Sequence, residues 1–443
     1  MMRDRDQALE ACETVLRHAK NAGAEDANVS VENVSESHAR FADNRITTSG
    51  ASRNLDITAT VWVGRRRGAA TGSDASGPAL QQLAEEAVQI ARVSPVHREY
   101  LPTVGPFAYG EDRGYAVATA EVDLGARATV LASALEACHA ANVTGAGFHS
   151  AGATATAIAT ANGNRRYFQS TNADFSMTAR TPDGTGSGYF SADHFDLARL
   201  DARHVVEQAV GKAIRSRDPK PIEPGIYPVI LEPQAVADLV GSMTNFDART
   251  ADEGRSAFSG KDGRTRVGEK LFHESLNLYS DPAHPDLPVS PSTGEGIPAS
   301  RLSLITNGTL ENLAYSRYWA NEKNVAPTAG PVNFVLETSG PVTPVEEMIG
   351  QTRRGLLISR FWYVRLIDQR SLMLTGLTRD GMWLIENGKI VHPVRNLRFN
   401  QSVLAMLAPH NVEAIGPSQR KAPLMVPALK LAEFTFTSVS DAI

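Results

Sequence analysis

The sequence predicts an α+β fold, in which an N-terminal α/β region with two helix–strands–helix halves precedes a β-rich C-terminal domain. Three observations support this prediction. Helical and alternating apolar patterns follow one another twice in the first half of the chain, prolines cluster at 219–224, and beyond them apolar segments shorten while turn signals multiply. We therefore place the two domains at 1–222 and 223–443.

The first half opens with a predicted helix. Apolar residues recur at helical spacing from Ala8 to Ala19, and Gly23 supplies a stop. Apolar and polar residues then alternate near 27–31 and 55–61, which predicts strands with one solvent-exposed face. Residues 78–93 return to a helical period, so the unit reads helix, strands, helix.

The same order of elements restarts after a connector rich in proline and glycine. Residues 118–141 form an alanine-rich helical pattern, and residues 154–180 alternate around an Asn162-Gly163 turn. Residues 199–215 then predict a closing helix.

The two halves also resemble each other in detail. Strand–turn–strand pieces near positions 45 and 165 are similar, which gives an offset of about 120 residues. The sequence therefore indicates a possible internal repeat of 1–104 and 115–222.

The second half carries signals of β-hairpins. Asn307-Gly308 and Asn387-Gly388 each lie between two short apolar runs, and this dipeptide suits the tight turns that match right-handed strand twist. Helical pattern is sparse and is confined to 233–243 and a short piece near 343–351. These signals favour a β-rich C-terminal domain.

Composition excludes several classes of protein. Hydrophobic residues make up 42%, and 44 Lys+Arg against 49 Asp+Glu give a net charge of -5, which argues against disorder and against nucleic-acid binding. The two cysteines, Cys12 and Cys138, are too few for a disulfide framework or a four-thiolate zinc site. No apolar run approaches the roughly 18 residues of a membrane span, and no signal-type stretch follows the first residues. We expect no membrane partner and a cytoplasmic location.

Motifs for metal or nucleophilic chemistry are incomplete. His273-Glu274 begins a zinc motif, but Asn277 and Leu278 stand where the second histidine would be needed. Ligands for a loose site would be His273, His284 and either Asp281 or Asp286, although a solvated loop is the favoured explanation of these residues. We therefore predict no catalytic residue and no metal ligand in this chain.

Two other features have simpler structural explanations. Cys138 and His139 are neighbours on a predicted helix, where adjacent side chains point in different directions, so a core cysteine and a surface histidine are expected. The Gly-x-Gly-x-Gly tract at 184–188 continues into a strand-like segment and not into a helix, which predicts a hairpin and not a phosphate site.

A dense group of large functional side chains occupies residues 360–380. Arginine, tryptophan and tyrosine are the residue types enriched where a surface binds a peptide or a partner. The alternative is a strand pair with cross-strand Arg–Asp contacts and a core tryptophan. The candidate substrate- or partner-binding residues are Arg360, Trp362, Tyr363, Arg365, Asp368, Arg379 and Asp380, with Arg398 and Asn400 as a possible extension.

Several segments together resemble the TldD/PmbA family, modulators of DNA gyrase that are zinc-dependent peptidases working as paired subunits. The resemblance covers nearly the whole chain and implies a dimer with an enclosed active chamber. Its segments are Ser256-Ala257-Phe258-Ser259-Gly260-Lys261 with Gly268, Gly294-Glu295-Gly296-Ile297-Pro298 before the 301–313 hairpin, Gly355-Leu356-Leu357, and the run from Thr375 through Gly381 and Gly388 to Pro393-Val394.

The chain departs from the family's zinc site. In the TldD-type subunit the ligands are two histidines of a His-Glu-x-x-x-His helix and a late cysteine, with the glutamate as general base. Here Pro233, Gln234 and Asp238 occupy the motif region, no histidine lies between His204 and His273, and no cysteine follows Cys138. The resemblance therefore implies the metal-free PmbA/TldE-type subunit, without a cofactor of its own.

The resulting hypothesis is a subunit of a heterodimeric zinc metallopeptidase that cleaves unfolded peptides or processes peptide or amide precursors. A TldD-like catalytic subunit would be the partner and would supply zinc and the general base. Two alternatives stay open at this point: a non-enzymatic substrate-binding or assembly protein, and an autonomous hydrolase with a site reorganised around His273, Glu274 and His284. A homodimer is likewise not excluded by the sequence.

Overall fold

The computed structural model describes residues 4–261 and 263–440. Residues 1–3 of the first predicted domain and residues 262 and 441–443 of the second therefore lie outside the described residues. The described chain contains a six-stranded sheet in its N-terminal half and an eleven-stranded sheet in its C-terminal half. The predicted α+β class is confirmed.

The N-terminal sheet has the order β3-β2-β1-β4-β5-β6, and its central strands β1 and β4 pair antiparallel. Each half contributes a helix, three strands and a second helix, as predicted. The elements are α1 (Arg5–Asn21), β1 (Asp26–Ala42), β2 (Arg45–Val63), β3 (Arg66–Gly72), α2 (Gly77–Val93), α3 (Val117–Ala120), α4 (Leu124–Ala140), β4 (Thr144–Thr160), β5 (Arg165–Arg180), β6 (Ser187–His194), a 3₁₀ turn (Leu197–Arg199) and α5 (Ala202–Arg215). The internal repeat in the sequence stays a prediction.

The four long helices pack on one face of this sheet. Helices α1 and α2 cover one end, over a cluster that includes Val29 and Ile57, while α4 and α5 cover the other end, over Phe41 and Phe175. The residues that alternate with these core positions are mostly polar and partly exposed. On strand β6 this second face meets the C-terminal domain.

The glycine tract has a packing role as well as the predicted turn. Gly184 adopts φ +71° in the turn before β6, whereas Gly186 and Gly188 lie directly beneath helix α5. A Cβ at Gly188 would stand 2.3 Å from the carbonyl oxygen of Ala209, so a larger residue would push the helix away from the sheet. No phosphate-binding helix start is formed by this tract.

The C-terminal sheet has the order β10-β9-β8-β11-β17-β15-β13-β12-β7, with β7 also pairing β17, β14 pairing β13 and β16 pairing β17. The elements are β7 (Ile226–Leu231), α6 (Pro233–Val240) with a 3₁₀ turn (Gly241–Met243), α7 (Ala248–Asp252), β8 (Leu276–Ser280), β9 (Leu302–Thr306), β10 (Thr309–Leu310), α8 (Arg317–Lys323), β11 (Phe334–Thr338), α9 (Val345–Gly350), β12 (Arg354–Asp368), β13 (Met373–Glu386), β14 (Lys389–Pro393), β15 (Leu397–Ser402), α10 (Val403–Met406), β16 (Val412–Lys421) and β17 (Leu424–Val439).

The largest hydrophobic core lies in this domain. Phe361, Phe399 and Phe434 form its aromatic centre, with ring centroids 4.7–5.5 Å apart. Helix α6 contributes Val236 and Leu239 to the same core. Both Asn-Gly hairpins are confirmed, because they join β9 to β10 and β13 to β14.

The cysteine prediction is also confirmed. Cys12 and Cys138 are buried, unpaired thiols, while His139 is exposed on α4. Among residues 4–261 and 263–440, no helix is both long and apolar enough to cross a membrane.

Candidate functional site

The predicted binding residues lie on one long hairpin, formed by β12 and β13. Its inner end lies at the junction of the two domains, because β12 pairs with β7 at 356–358 and β13 contacts strand β6 of the N-terminal sheet. Its outer end, from Trp362 to Met373, projects further. The hairpin therefore divides the predicted residues into an inner group and an outer group.

The inner group is centred on a buried ion pair. Arg360 Nη1 lies 3.3 Å from Asp380 Oδ2, and Arg379 Nε lies 3.9 Å from the same oxygen. Asp380 is only 3% exposed and also accepts a hydrogen bond from the Ser187 hydroxyl of β6. The carboxylate thus joins the hairpin to the N-terminal sheet.

The backbone at this point is held in an unusual conformation. Asp380 has φ +57° and Gly381 has φ +129°, both in the left-handed region. A Cβ at Gly381 would stand 2.2 Å from the Trp383 ring, so this position requires glycine. Asp380, Ser187 and Gly381 line one wall of an interdomain cleft of about 580 Å³.

Aromatic and guanidinium groups stack above the ion pair. The Arg360 guanidinium lies 3.9 Å from the centroid of the Tyr189 ring and 4.7 Å from that of Trp362, and Arg379 lies 5.1 Å from Trp362. We call these four residues the arginine ladder. Nε of Arg360 is buried and has no hydrogen-bond partner among the described residues. Stacking of this kind stabilises both rings and cations.

The outer group is exposed and chemically mixed. Tyr363 is 64% exposed and has φ +50°, and Arg365 is exposed beyond it. Asp368 instead holds the hairpin turn, since it accepts hydrogen bonds from the hydroxyl and the backbone N–H of Ser371, which lower the pKa of Asp368. Asp368 is therefore engaged in local structure.

The suggested extension follows the sheet register. Arg398 pairs with Leu377, which pairs with Trp362, and Asn400 pairs with Thr375, which pairs with Arg365. Both extension residues are exposed. The alternative with a core tryptophan is wrong at Trp362, which is 38% exposed, because Phe361 fills the core instead. The Arg–Asp contact of that alternative is present.

Helix α6, which by the resemblance occupies the region where the TldD-type subunit carries its zinc motif, lies directly beside the inner group. Gln234 donates to Asp238 Oδ1 at 2.9 Å, and the backbone N–H of Phe361 donates to Asp238 Oδ2 at 2.8 Å. Burial raises the pKa of Asp238, and the hydrogen bond from Phe361 opposes that change. The carboxyl therefore fixes α6 against β12.

One buried and one partly buried lysine complete the junction. Lys212 of α5 is 2% exposed, pairs with the Glu232 carboxylate and donates to the Ser359 hydroxyl at 2.7 Å. Lys421 of β16 donates to the Ser191 carbonyl of β6 at 2.6 Å. Burial, and then the neighbouring Lys212, lower the pKa of Lys421 to about 8. Both ammonium groups lie near the carboxylate of Glu232, the residue that precedes α6.

These side chains do not fit a zinc site. Zinc in proteins takes imidazole, thiolate or carboxylate ligands, and α6 presents the amide of Gln234 and a carboxyl that is already engaged. Positive charge on Lys212 or Lys421 would oppose a second cation. Within the described part of the chain, no group of three or more His, Cys, Asp or Glu side chains could hold a metal.

The loose site around His273 and His284 does not assemble either. Each imidazole accepts a local backbone N–H at 3.2 Å through Nδ1, from Ser275 and from Asp286. Asp286 pairs with Arg199 at 2.7 Å. These residues therefore stabilise loops.

Sequence reasoning missed the residues that the N-terminal sheet contributes. Ser187 and Tyr189 alternate along β6, and the only available signal was the strand-like continuation of the glycine tract. Lys212 and Lys421 carried no signal, since each looks like an ordinary surface lysine in its own segment. Their proximity results from tertiary structure alone.

The two sheets, with α6 beside the junction between them, define an α+β protein of two structural domains. Family profiles match in order along the chain: PmbA/TldA metallopeptidase domain 1 at 27–91, the central domain at 120–217 and the C-terminal domain at 224–438. The chain belongs to the PmbA/TldD family.

Solved structures share the fold over nearly the whole chain. TldE from Thermococcus kodakarensis matches with a TM-score of 0.86 at 18% identity, covering 97% of this chain and 100% of that one. A putative modulator of a DNA gyrase from Thermotoga maritima matches with a TM-score of 0.84 at 19% identity, covering 97% and 100%.

Curated relatives match over a shorter stretch. A metalloprotease of Methanothermobacter thermautotrophicus is 22% identical over 237 residues, 51% of this chain and 50% of the relative. A metalloprotease of Synechocystis sp. is 23% identical over 267 residues, 54% and 53% respectively. The chain thus spans about half the length of the curated relatives that it matches.

Proposed function

We propose that this chain is the metal-free, TldE-type subunit of a two-subunit metallopeptidase, in which a TldD-like partner supplies zinc and the general base. The observation that carries the proposal is the chemistry beside α6. Lys212, Lys421 and Gln234 occupy a region where the catalytic type of subunit needs metal ligands. These side chains could not hold a zinc ion with its bound hydroxide.

The substrate class follows from the partner's chemistry. Zinc-activated water hydrolyses amides, so we propose unfolded peptides, or peptide or amide precursors, as substrates of the complex. The arginine ladder and the outer hairpin residues would bind substrate or partner, since Arg, Trp and Tyr dominate such surfaces. A cytoplasmic location accords with two free thiols.

The experiment compares metal and activity in two preparations. The chain is purified alone and, separately, co-expressed with a TldD-like subunit, and zinc per mole is measured beside hydrolysis of an unstructured peptide. We expect zinc and hydrolysis only in the co-purified complex, with His273→Ala leaving both unchanged. Stoichiometric zinc in the isolated chain with peptide hydrolysis would overturn the proposal. A co-purified complex that holds zinc but hydrolyses no peptide would instead favour a binding or assembly role.

A further inference from the structure

The outer edge of strand β12 has no pairing strand. Strand β7 covers this edge only at 356–358, and beyond it Asp238 accepts the backbone N–H of Phe361. From Trp362 to Ile367 no strand of the described chain pairs with the outer side of β12. An open edge offers backbone hydrogen-bonding groups to another chain.

This edge is also unusually apolar. Four large hydrophobic side chains are exposed within six residues, namely Trp362, Tyr363, Leu366 and Ile367, with Ile367 at 57%. Proteins normally protect such an edge with charges, a bulge or a covering element. A bulge between Trp362 and Arg365 and the charge of Arg365 give partial protection. The remaining apolar surface indicates a specific partner that covers it.

The surface beside the edge is basic. Arg365 and Arg398 are exposed on the sheet rows that run through Thr375 and Trp362, and Arg379, which pairs with Arg360 on the next row, is partly exposed. Arg360 balances the charge of Asp380, and Asp368 at the turn is outnumbered by Arg365 and Arg398. The edge therefore carries net positive charge on a chain whose net charge is -5.

The positive charge of this edge indicates which kind of partner binds there. A second copy docked edge to edge would bring its own arginines against these, and like charges across a pair are unfavourable. An acidic extended segment would pair with the backbone edge and neutralise the arginines at once. We propose that the edge Trp362–Ile367, with Arg365 and Arg398, docks an acidic extended segment of the TldD-like catalytic subunit. This inference rests on the proposed function and adds the surface and the chemistry of its interface.

The test uses charge reversal on the full chain. Arg365→Glu with Arg398→Glu should weaken the dissociation constant for the TldD-like subunit by at least tenfold, measured by biolayer interferometry, and should reverse the salt dependence of association. Arg17→Glu on the helical face of the N-terminal domain is the matched control and should stay within twofold. Both variants should keep the wild-type circular dichroism spectrum and melting temperature, because the replaced side chains are exposed.

Outcomes separate this inference from the proposed function. If the wild-type chain forms no complex with the TldD-like subunit, the proposed function fails and the inference fails with it. If the complex forms and the double variant binds equally well, only the docking surface is refuted. Two further results with the double variant would overturn the assigned partner. If the variant prevents self-association of the isolated chain, the edge binds a second copy of this chain. If the complex stays intact but its affinity for peptide falls, the edge binds substrate.

Discussion

The substitution Lys212→Met tests whether charge pairing holds the two domains together at α6. The lysine extends from α5 of the N-terminal domain to Glu232 and Ser359 of the C-terminal domain. Methionine has a similar length and keeps the apolar contacts of the stem. The variant therefore removes the ammonium and leaves the carboxylate largely buried.

The magnitude follows from the burial of the two partners. Breaking a fully buried ion pair by removing one member costs about 3–5 kcal/mol, because the remaining charge is desolvated without compensation. The Glu232 side chain is 19% exposed and still receives the Ser359 hydroxyl, so water and one hydrogen bond relieve part of the cost. We expect a loss of about 2–4 kcal/mol in the free energy of unfolding.

Urea unfolding followed by tryptophan fluorescence is the assay. Trp383 is a suitable probe, since its indole N–H donates to the Arg215 carbonyl across the domain junction at 3.0 Å. Glu232→Gln combined with Lys212→Met should recover part of the loss, because no unpaired charge stays buried. The exposed Lys20→Met on α1 is the control and should change stability by no more than about 0.5 kcal/mol.

Two results would refute this reasoning. One is a Lys212→Met variant as stable as the Lys20→Met control. The other is a double variant whose loss equals the sum of the two single losses, since independent residues add and coupled residues do not.

Three further predictions concern other buried groups. Burial and Lys212 lower the pKa of Lys421 from 10.5 to about 8. Between these pH values the unfolded chain binds more protons than the folded chain, so the free energy of unfolding should rise with pH. Lys421→Met should lose this rise in urea titrations from pH 8 to 10. Burial raises the pKa of Cys12 to about 12 and that of Cys138 to about 11. Both thiols should therefore react with a disulfide reagent at pH 8 only after the chain unfolds. Fast labelling of the native chain would contradict this expectation. Gly188→Ala should lower the free energy of unfolding by about 1–3 kcal/mol, because its Cβ would meet helix α5. Gly211→Ala, which faces open space on that helix, should raise it by about 0.5–1 kcal/mol. Equal melting temperatures for the two variants would disprove the packing argument.

The fold could be predicted where burial imposes a period on the sequence. Helices α1, α2 and α5 were found within a few residues because one face of each is buried. Alternation predicted strands β1 and β2 near 27–31 and 55–61, and the strand–turn–strand piece near position 45 marked their far ends, whereas the structure runs β1 on to Ala42 and starts β2 at Arg45. No residue is buried at 32–38 of β1 or at 45–56 of β2, so burial imposes no alternation there.

The sequence predicted only those residues of the candidate site that lie together in one segment of the chain. Arg360, Arg379 and Asp380 lie in one hairpin, and their residue types alone indicated a binding or ion-paired patch. Tyr189 and Lys212 belong to the other domain, and no local pattern connects a strand or a helix face with a hairpin so distant in sequence. Whether the patch binds substrate or partner stays a prediction.

The two ends of the β12–β13 hairpin are mechanically related. The strands stay paired from Arg354 opposite Glu386 to Asp368 opposite Met373, with bulges between, so the direction of the outer edge follows from how the inner end is held. The inner end is held by the N-terminal sheet, through Ser187 on Asp380 and Tyr189 on Arg360. The N-terminal domain therefore orients the proposed docking edge without contributing a residue to it. This gives the buried aspartate and its left-handed backbone a positioning role at a distance from the partner.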